Sequence, residues 1–216
     1  MGGVSDVLGM VERAADDFIR RWTAQGIGWM AEQGRSTAAL PTDASEAAVQ
    51  KALFWNDSAW PWAAYGPVTM AAVRAGVPVL GGNLPRKLLN AATANTALDA
   101  QLSDAAWLRQ LRAVREGHCD LLPEKMLPGM VRVQIARDMQ LAQTAAAAVQ
   151  SGKVVLLVTG VAHAQRSLGV PRYLPKNLVS KIALAQAGQA LEAIEKEAST
   201  MRVRPVKPSA HSTSAS

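Results

Sequence analysis

The sequence predicts an α/β fold with a mixed, mostly parallel sheet flanked by helices. Residues 154–158, VVLLV, form an apolar run that is rich in β-branched residues and too short for a helix. Such a run is typical of a strand buried on both faces. A second apolar segment, Val77–Leu80, lies between Gly76, which follows a helical pattern, and the glycines at 81 and 82. This alternation of helix, glycine, strand and glycine is typical of α/β units.

Length and composition predict one globular domain followed by a tail. The chain has 216 residues, of which 49% are hydrophobic, enough for one substantial core. We expect the domain to occupy residues 1–198. Residues 199–216 are dominated by Arg, Pro, Lys, Ser and Ala, a composition typical of a disordered basic tail.

Charge and cysteine content exclude several classes of protein. The net charge of +6 is spread along the chain, and no basic stripe is interleaved with aromatic residues, so we expect no nucleic-acid partner. The single cysteine, Cys119, excludes a disulfide framework and a cysteine-based zinc site. No apolar run reaches the roughly 20 residues of a transmembrane helix, so no transmembrane segment is predicted.

The N-terminal third is predicted to hold a short strand and two helices. The strand and the first helix cover Val4–Val11 and Glu12–Trp22, and the glycines at 26 and 28 interrupt the helical pattern. The second helix runs to about Phe54 and is capped by Thr42 or Asp43.

The stretch Trp55–Pro67, WNDSAWPWAAYGP, contains three of the six tryptophans and one of the two tyrosines. One interpretation is a tryptophan-rich loop that closes one end of the core. The other is the wall of a pocket for a flat aromatic ligand, to which Tyr65 contributes a phenolic oxygen.

Helical patterns dominate the rest of the chain. Four helices are predicted between residues 68 and 149, and a strand and a short helix follow the central strand; in order, they cover Val68–Ala75, Pro85–Asn90, Ser103–Arg115, Pro128–Val149, Leu178–Gln186 and Leu191–Glu197. The arginine row of the third helix, Arg109, Arg112 and Arg115, is typical of a solvated face.

The strongest candidate site follows the strand at residues 154–158. His163 comes three residues after Gly160, and Arg166 follows. Ligands of open α/β sheets bind beyond the carboxyl ends of the strands. A histidine there can ligate a metal, act as a base or make a structural hydrogen bond. The arginine can bind a carboxylate or phosphate through two hydrogen bonds.

Other polar residues are weaker candidates. One turn of the long helix carries three polar residues, Gln134, Arg137 and Asp138. One interpretation is an intrahelical or interhelical ion pair, and the other is a polar patch directed at the site. Asn83 follows a strand, and His118 is adjacent to Cys119, a weak metal signature. No P-loop, GxGxxG motif or nucleophile elbow is present.

Four stretches resemble the ChaN-like haem-binding lipoproteins. GVAHAQRSLGVPRYL is similar to the family's G-x-x-H-x-x-R-x-x-G-V-P-R-x-L signature. The stretches WNDSAWPWAAYGPV, VPVLGGNLPR and GHCDLLPEKMLPGMVRVQIARDMQLA match further family segments in the same order. The resemblance covers about Val4 to Gln186.

The resemblance implies a protein that binds haem and takes part in bacterial haem or iron uptake. It favours a binding protein over an enzyme. It implies that haem binds at a homodimer interface, with a tyrosine on the iron and with histidine and lysine from the partner subunit on the propionates. Tyr65 matches the family's Tyr-x-Pro segment and is our candidate iron ligand, because a phenolate suits ferric haem. His118, His163 and Arg166 are the candidates for the propionates.

The sequence also departs from the family pattern. The expected first strand with its Gly-Glu-x-His segment, a signal peptide and a lipid-attachment cysteine are missing before Val4, and Gly9 stands near the position of an expected glutamate. Family resemblance predicts a periplasmic or outer-membrane-associated protein, whereas the chain as written predicts a cytoplasmic one. The alternative function is a metal-dependent hydrolase of the Tiki or erythromycin-esterase type that uses His163, for which His118 and Asp138 are the available partners.

Overall fold

The computed structural model describes residues 23–187 and 200–204, and its central feature is a parallel sheet. Three strands, β1 (Thr23–Glu32), β2 (Val79–Asn83) and β3 (Val154–Val158), lie in the order β2-β1-β3. Both neighbours pair with β1 in parallel. Because parallel neighbours need crossover connections, the helices between the strands cover the sheet. The α/β class predicted from the sequence is therefore confirmed.

The central strand β1 was not predicted. Gly26 and Gly28 were interpreted as interruptions of a helix, yet they pair with β2 on one side and β3 on the other. Glycine weakens the strand signal because it lacks a side chain to pack, but it tolerates close backbone approach. A close approach occurs at the end of this strand pair, where a Cβ on Gly81 would collide with the Glu32 carbonyl oxygen.

Two helices connect β1 to β2. Helix α1 (Glu46–Leu53) begins one turn later than predicted, and its N-cap is Ser45, whose hydroxyl accepts a hydrogen bond from the Ala48 N–H at 3.3 Å. Helix α2 (Trp62–Arg74) begins inside the stretch interpreted as a tryptophan-rich loop. The core between these helices and the sheet is formed by apolar side chains, including Val49, Leu53, Trp62, Met70, Val73 and Val79.

Three helices and short 3₁₀ turns connect β2 to β3. Helices α3 (Leu89–Ala94), α4 (Asp104–Gly117) and α5 (Leu127–Ala147) match predicted helices, with turns at 86–88, 96–101 and 124–126. Helix α5 is the central helix of this half of the molecule, because it packs on β2, α3 and α4. Its most buried side chains are at most 1% exposed: Leu127, Val131, Ile135, Leu141 and Ala142.

The C-terminal part holds the turn that follows β3. The one-turn helix α6 (Val161–Ala164) and a 3₁₀ turn at Val170–Tyr173 come before strand β4 (Ala183–Ala187). The predicted last strand thus begins at Ala183 rather than Leu178. Strand β5 (Thr200–Arg204) pairs with β4 in parallel, which differs from the disorder predicted for these five residues.

Strand β3 is less buried than the sequence predicted, and three predicted elements fall outside the described residues. Val154 is 41% exposed, and the other four residues of β3 are only partly buried. The prediction that this strand is buried on both faces is therefore wrong. The predictions for Val4–Val11, Glu12–Trp22 and Leu191–Glu197 lie outside the described residues.

Candidate functional site

The carboxyl ends of the three parallel strands meet at one edge of the sheet. Strand β2 ends at Asn83, and β3 is followed by Thr159 and Gly160, which begins α6 as its N-cap residue. With β1 between them, the ends of β2 and β3 are separated by about 10 Å, two inter-strand spacings. This edge is where ligands bind in α/β sheets.

A buried histidine–aspartate pair lies next to this edge. His163 Nδ1 and Asp138 Oδ1 are 2.6 Å apart, and the two residues are only 7% and 3% exposed. A carboxylate only accepts hydrogen bonds, so the hydrogen of this bond is carried by Nδ1 of His163, which donates it to Asp138. The sequence singled out both residues, and the structure brings them together across 25 positions of the chain.

Local packing holds this pair in place. Helix α5 carries Asp138 on its buried face, and α6 carries His163 directly after the sheet edge. The loop after α6 folds back so closely that a Cβ on Gly169 would collide with the His163 carbonyl oxygen. Burial raises the pKa of Asp138, and the hydrogen bond from His163 and the charges of His163 and Arg137 oppose that rise.

Two further polar side chains interact electrostatically with Asp138. Arg137 is largely removed from water, which lowers the pKa of its guanidinium, while the Asp138 charge raises it. Burial and the Asp138 charge raise the pKa of Tyr173 to about 12. The guanidinium of Arg172 opposes this rise, although its contact with the phenol is not a well-directed hydrogen bond.

Several buried polar atoms, on residues that interact with Asp138 or lie at the ends of β2 and β3, lack hydrogen-bond partners in the described part of the chain. They are Arg137 Nε, Tyr173 Oη, Thr159 Oγ1 and Asn83 Oδ1. Buried polar atoms are nearly always hydrogen-bonded to protein or water, because an unsatisfied one costs about 1–3 kcal/mol. Unsatisfied atoms on α5, on the 170–173 turn and at two strand ends therefore indicate a place for a polar ligand.

An apolar groove adjoins this polar region. It has a volume of about 670 Å³, lies between α3 and α5, and shares Tyr173 with the polar region. Ligand pockets of proteins measure roughly 300–1,000 Å³. The groove is lined mainly by small and aliphatic side chains, among them Leu84, Leu88, Ala91, Ala136, Met139 and Ala146. Such a surface suits the face of a flat apolar molecule.

Tyr65 lies in an aromatic cluster on the first turns of α2. Its ring centre is 5.9 Å from that of Trp60 and 6.4 Å from that of Trp55. Hydrogen bonds of 2.7 Å fix the cluster, from Trp55 Nε1 to the Trp60 carbonyl and from Trp62 Nε1 to Glu46. Trp62 is buried in the core, as the first interpretation of the tryptophan-rich stretch expects, and Tyr65 is partly accessible; the second interpretation, a pocket wall for a flat aromatic ligand, stays a prediction.

The other predicted residues make local contacts. His118 Nδ1 donates to the Val114 carbonyl at 2.7 Å, at the C-terminus of α4. Arg166 donates to the hydroxyl and the carbonyl of Ser180, at 3.2 and 3.0 Å. These contacts place His118 at a helix end and use Arg166 to anchor the segment before β4.

The described residues offer no donor set for a metal ion. Within residues 23–187 and 200–204, no three His, Cys, Asp or Glu side chains are grouped so as to hold one. The predicted recruits for a metal-dependent hydrolase, His118 and Asp138, do not form such a group with His163. In the same part of the chain, no helix combines the length and apolarity needed to cross a membrane.

Sequence reasoning missed Tyr173 and Thr159. Tyr173 lies inside the signature stretch that contains His163. The sequence pattern instead favours Tyr65, in the tryptophan-rich stretch, as the phenol donor. The position of Tyr173, ten residues after His163, gives no periodic signal, because a 3₁₀ turn and not a helix returns it to α5. Thr159 was interpreted only as the end of a strand.

Comparisons with known proteins agree with this fold. A family model described as haem-binding uptake, Tiki superfamily, ChaN, matches residues 7–174. Among solved structures, ChaN of Campylobacter jejuni, described with cofacial haem binding, superposes with a TM-score of 0.59 at 18% identity, covering 77% of this chain and 67% of that one. No curated protein sequence matches the chain. Because the family match spans most of the chain, this protein belongs to the ChaN haem-binding uptake family of the Tiki superfamily.

Proposed function

We propose that this protein binds haem for haem or iron uptake and carries out no reaction of its own. The observation that carries the proposal is the family match over residues 7–174. The described residues fit the chemistry of the ligand. Haem has a flat apolar body, two carboxylate groups and an iron that needs an axial donor. The chain offers an apolar groove of about 670 Å³, buried polar donors beside it and two tyrosines.

Each part of the site has a separate role in this proposal. The groove between α3 and α5 receives the porphyrin face. When bound, the ferric iron supplies a centre that accepts an axial ligand, and a phenolate is a suitable one. Tyr65 is our candidate ligand, although it is not among the residues that line the groove; Tyr173, the other phenol that the sequence contains, does line it. His118, His163 and Arg166 are candidates for holding the propionates.

The direct test of the ligand assignment is a hemin titration of the purified chain and of two variants, Tyr65→Phe and Tyr173→Phe. The wild type is expected to bind hemin saturably with a shift of the Soret band. Each Phe keeps the ring and its packing and removes only the hydroxyl. We expect Tyr65→Phe to change the spectrum and weaken binding. An unchanged spectrum in that variant, together with a changed one in Tyr173→Phe, would move the ligand to Tyr173.

The family resemblance also leads us to propose a homodimer in the ligand-bound state and a periplasmic or outer-membrane-associated location. Light scattering after size-exclusion chromatography, with and without hemin, tests the first proposal. A molar mass that stays at the 22.9 kDa of one chain after hemin saturation would contradict it. Fractionation of cells that express the natural gene tests the second.

A further inference from the structure

The unsatisfied polar atoms on α5, on the 170–173 turn and at the ends of β2 and β3 are mostly hydrogen-bond donors. Arg137 Nε carries a hydrogen that it can only donate, and the hydroxyls of Tyr173 and Thr159 can each donate one. Asn83 also belongs to this set. A 180° rotation of its amide group exchanges the positions of the oxygen and the nitrogen, which puts the NH₂ donor at the unsatisfied position. A group of buried donors is satisfied by a ligand that accepts several hydrogen bonds.

Two guanidinium groups in this region, those of Arg137 and Arg172, favour an anion as that ligand and act against the negative charge of Asp138. The Asp138 carboxylate is already bonded to His163, and Arg172 adds a second guanidinium close to Tyr173. Arg137 is partly buried, yet within residues 23–187 and 200–204 no carboxylate forms an ion pair with its guanidinium. Desolvating a charge without a hydrogen-bonded partner is unfavourable, and an incoming anion would remove that penalty.

Other arginines of the chain show the arrangement that Arg137 lacks. Arg132 donates to both carboxylate oxygens of Asp99, at 2.7 and 2.8 Å. Arg115 donates to both oxygens of Glu124, each at 2.7 Å. The Nε atoms of Arg115 and Arg137 are both buried without a partner, but the guanidinium of Arg115 is bound to Glu124 through Nη2, whereas among the described residues Arg137 forms no ion pair with a carboxylate.

We propose that Arg137, Tyr173 and Thr159 bind one carboxylate group, and that in the haem-bound protein this group is a haem propionate. The inference rests on the proposed function for the identity of the ligand. Tyr173 connects the two parts of the site, since its ring lines the apolar groove while its hydroxyl is buried near Asp138. The ligand is therefore an acid whose carboxylate enters the donor set and whose apolar body lies in the groove.

The experiment compares hemin with hemin dimethyl ester, in which both carboxylates are blocked, on the wild type and two variants. Arg137→Gln removes the proposed partner. Arg109→Gln removes one positive charge from the exposed face of α4 and is the matched control. A hydrogen bond to a charged group contributes about 1.5–3 kcal/mol, so we expect the wild type to bind hemin about 10- to 100-fold more tightly than the ester.

Arg137→Gln is expected to lose this preference, with an affinity for hemin close to that for the ester, while Arg109→Gln keeps it. The variant should fold, because the Arg137 side chain makes no hydrogen bond with the described part of the chain; its thermal midpoint without ligand should equal or exceed that of the wild type. Equal binding of hemin and ester by the wild type would overturn the inference. Undiminished hemin binding by Arg137→Gln would do the same, and in both cases the proposed function stands.

A separate measurement tests the carboxylate site without haem. It compares how decanoate, an apolar acid, and decanol, its uncharged counterpart, change the thermal midpoint of the protein. If decanoate raises the thermal midpoint of the wild type but not of Arg137→Gln, and decanol raises neither, the carboxylate site stands even for a chain that binds no hemin. A chain that binds neither hemin nor decanoate would refute both the inference and the proposed function.

Discussion

At the scale of single residues, the pair of His163 and Asp138 organises the site. Each was a candidate from the sequence, His163 after a strand and Asp138 on a helix, but a pattern of residues contains nothing that pairs positions 138 and 163. The pairing arises because α5 packs against the sheet and presents Asp138 to the turn after β3. The sequence thus identified the chemical groups, and the tertiary packing determined which of them meet.

The first prediction concerns this pair. Replacing one partner of a buried ion pair leaves the other desolvated, which typically costs about 3–5 kcal/mol, whereas replacing both with apolar residues costs much less. We therefore expect His163→Leu and Asp138→Leu each to lower the free energy of unfolding by about 3 kcal/mol. The double variant should lose less than the sum of the two. Urea denaturation of the four proteins measures the coupling, and strictly additive losses would contradict it.

The second prediction uses the raised pKa of Tyr173, about 12 in the folded protein against 10 in the unfolded chain. Between these values the unfolded chain loses the proton and the folded protein keeps it. The free energy of unfolding therefore falls as pH rises from 10 to 12. The full effect of two pKa units is about 2.7 kcal/mol, and partial solvent exposure of the ring reduces it.

Tyr173→Phe cannot titrate at this position and is the control for that measurement. Urea unfolding of both proteins across this pH range should give a steeper loss for the wild type. Parallel curves would show that the Tyr173 hydroxyl is not buried as described.

At the scale of elements, the sequence predicted those segments whose patterns are unbroken. The apolar run of β3, the amphipathic α4 and the long α5 all appear near their predicted positions. Strand β1 was missed because glycines at 26 and 28 carry no side-chain pattern. The start of α2 was missed because Asn56, Asp57 and Pro61 are turn residues; Asp57 in fact accepts a hydrogen bond from the first helical N–H, that of Trp62, at 2.7 Å.

The third prediction concerns the loop that closes over His163. Gly169→Ala places a methyl group against the His163 carbonyl oxygen, where backbone and not a flexible side chain must move. Overpacking of this kind costs roughly 1–3 kcal/mol. We also expect weaker hemin binding, because the turn carrying His163 shifts. Gly117→Ala is the matched control, since its Cβ would meet nothing within 4 Å. Equal stability of the two variants would contradict the close packing of the loop.

At the scale of the whole molecule, the fold places an apolar groove and a set of buried donors on either side of one tyrosine. The sequence predicted the α/β class and the family, because strand, helix and motif order are local properties of the chain. It did not predict the groove, which is formed by α3 and α5 from residues some 50 positions apart, such as Ala91 and Ala146. Nor did it predict the Tyr173 position, which depends on a turn.

The most direct test of haem binding by this groove is a hemin titration of the wild type beside two tryptophan variants. Ala91→Trp fills the groove, and Ala147→Trp adds the same side chain to an exposed position of α5 that is not among the residues lining it. We expect saturable binding with a Soret shift for the wild type and Ala147→Trp, and binding weakened at least about tenfold, or 1.4 kcal/mol, for Ala91→Trp. No Soret shift in the wild type, or equal affinities in all three proteins, would contradict haem binding in the groove.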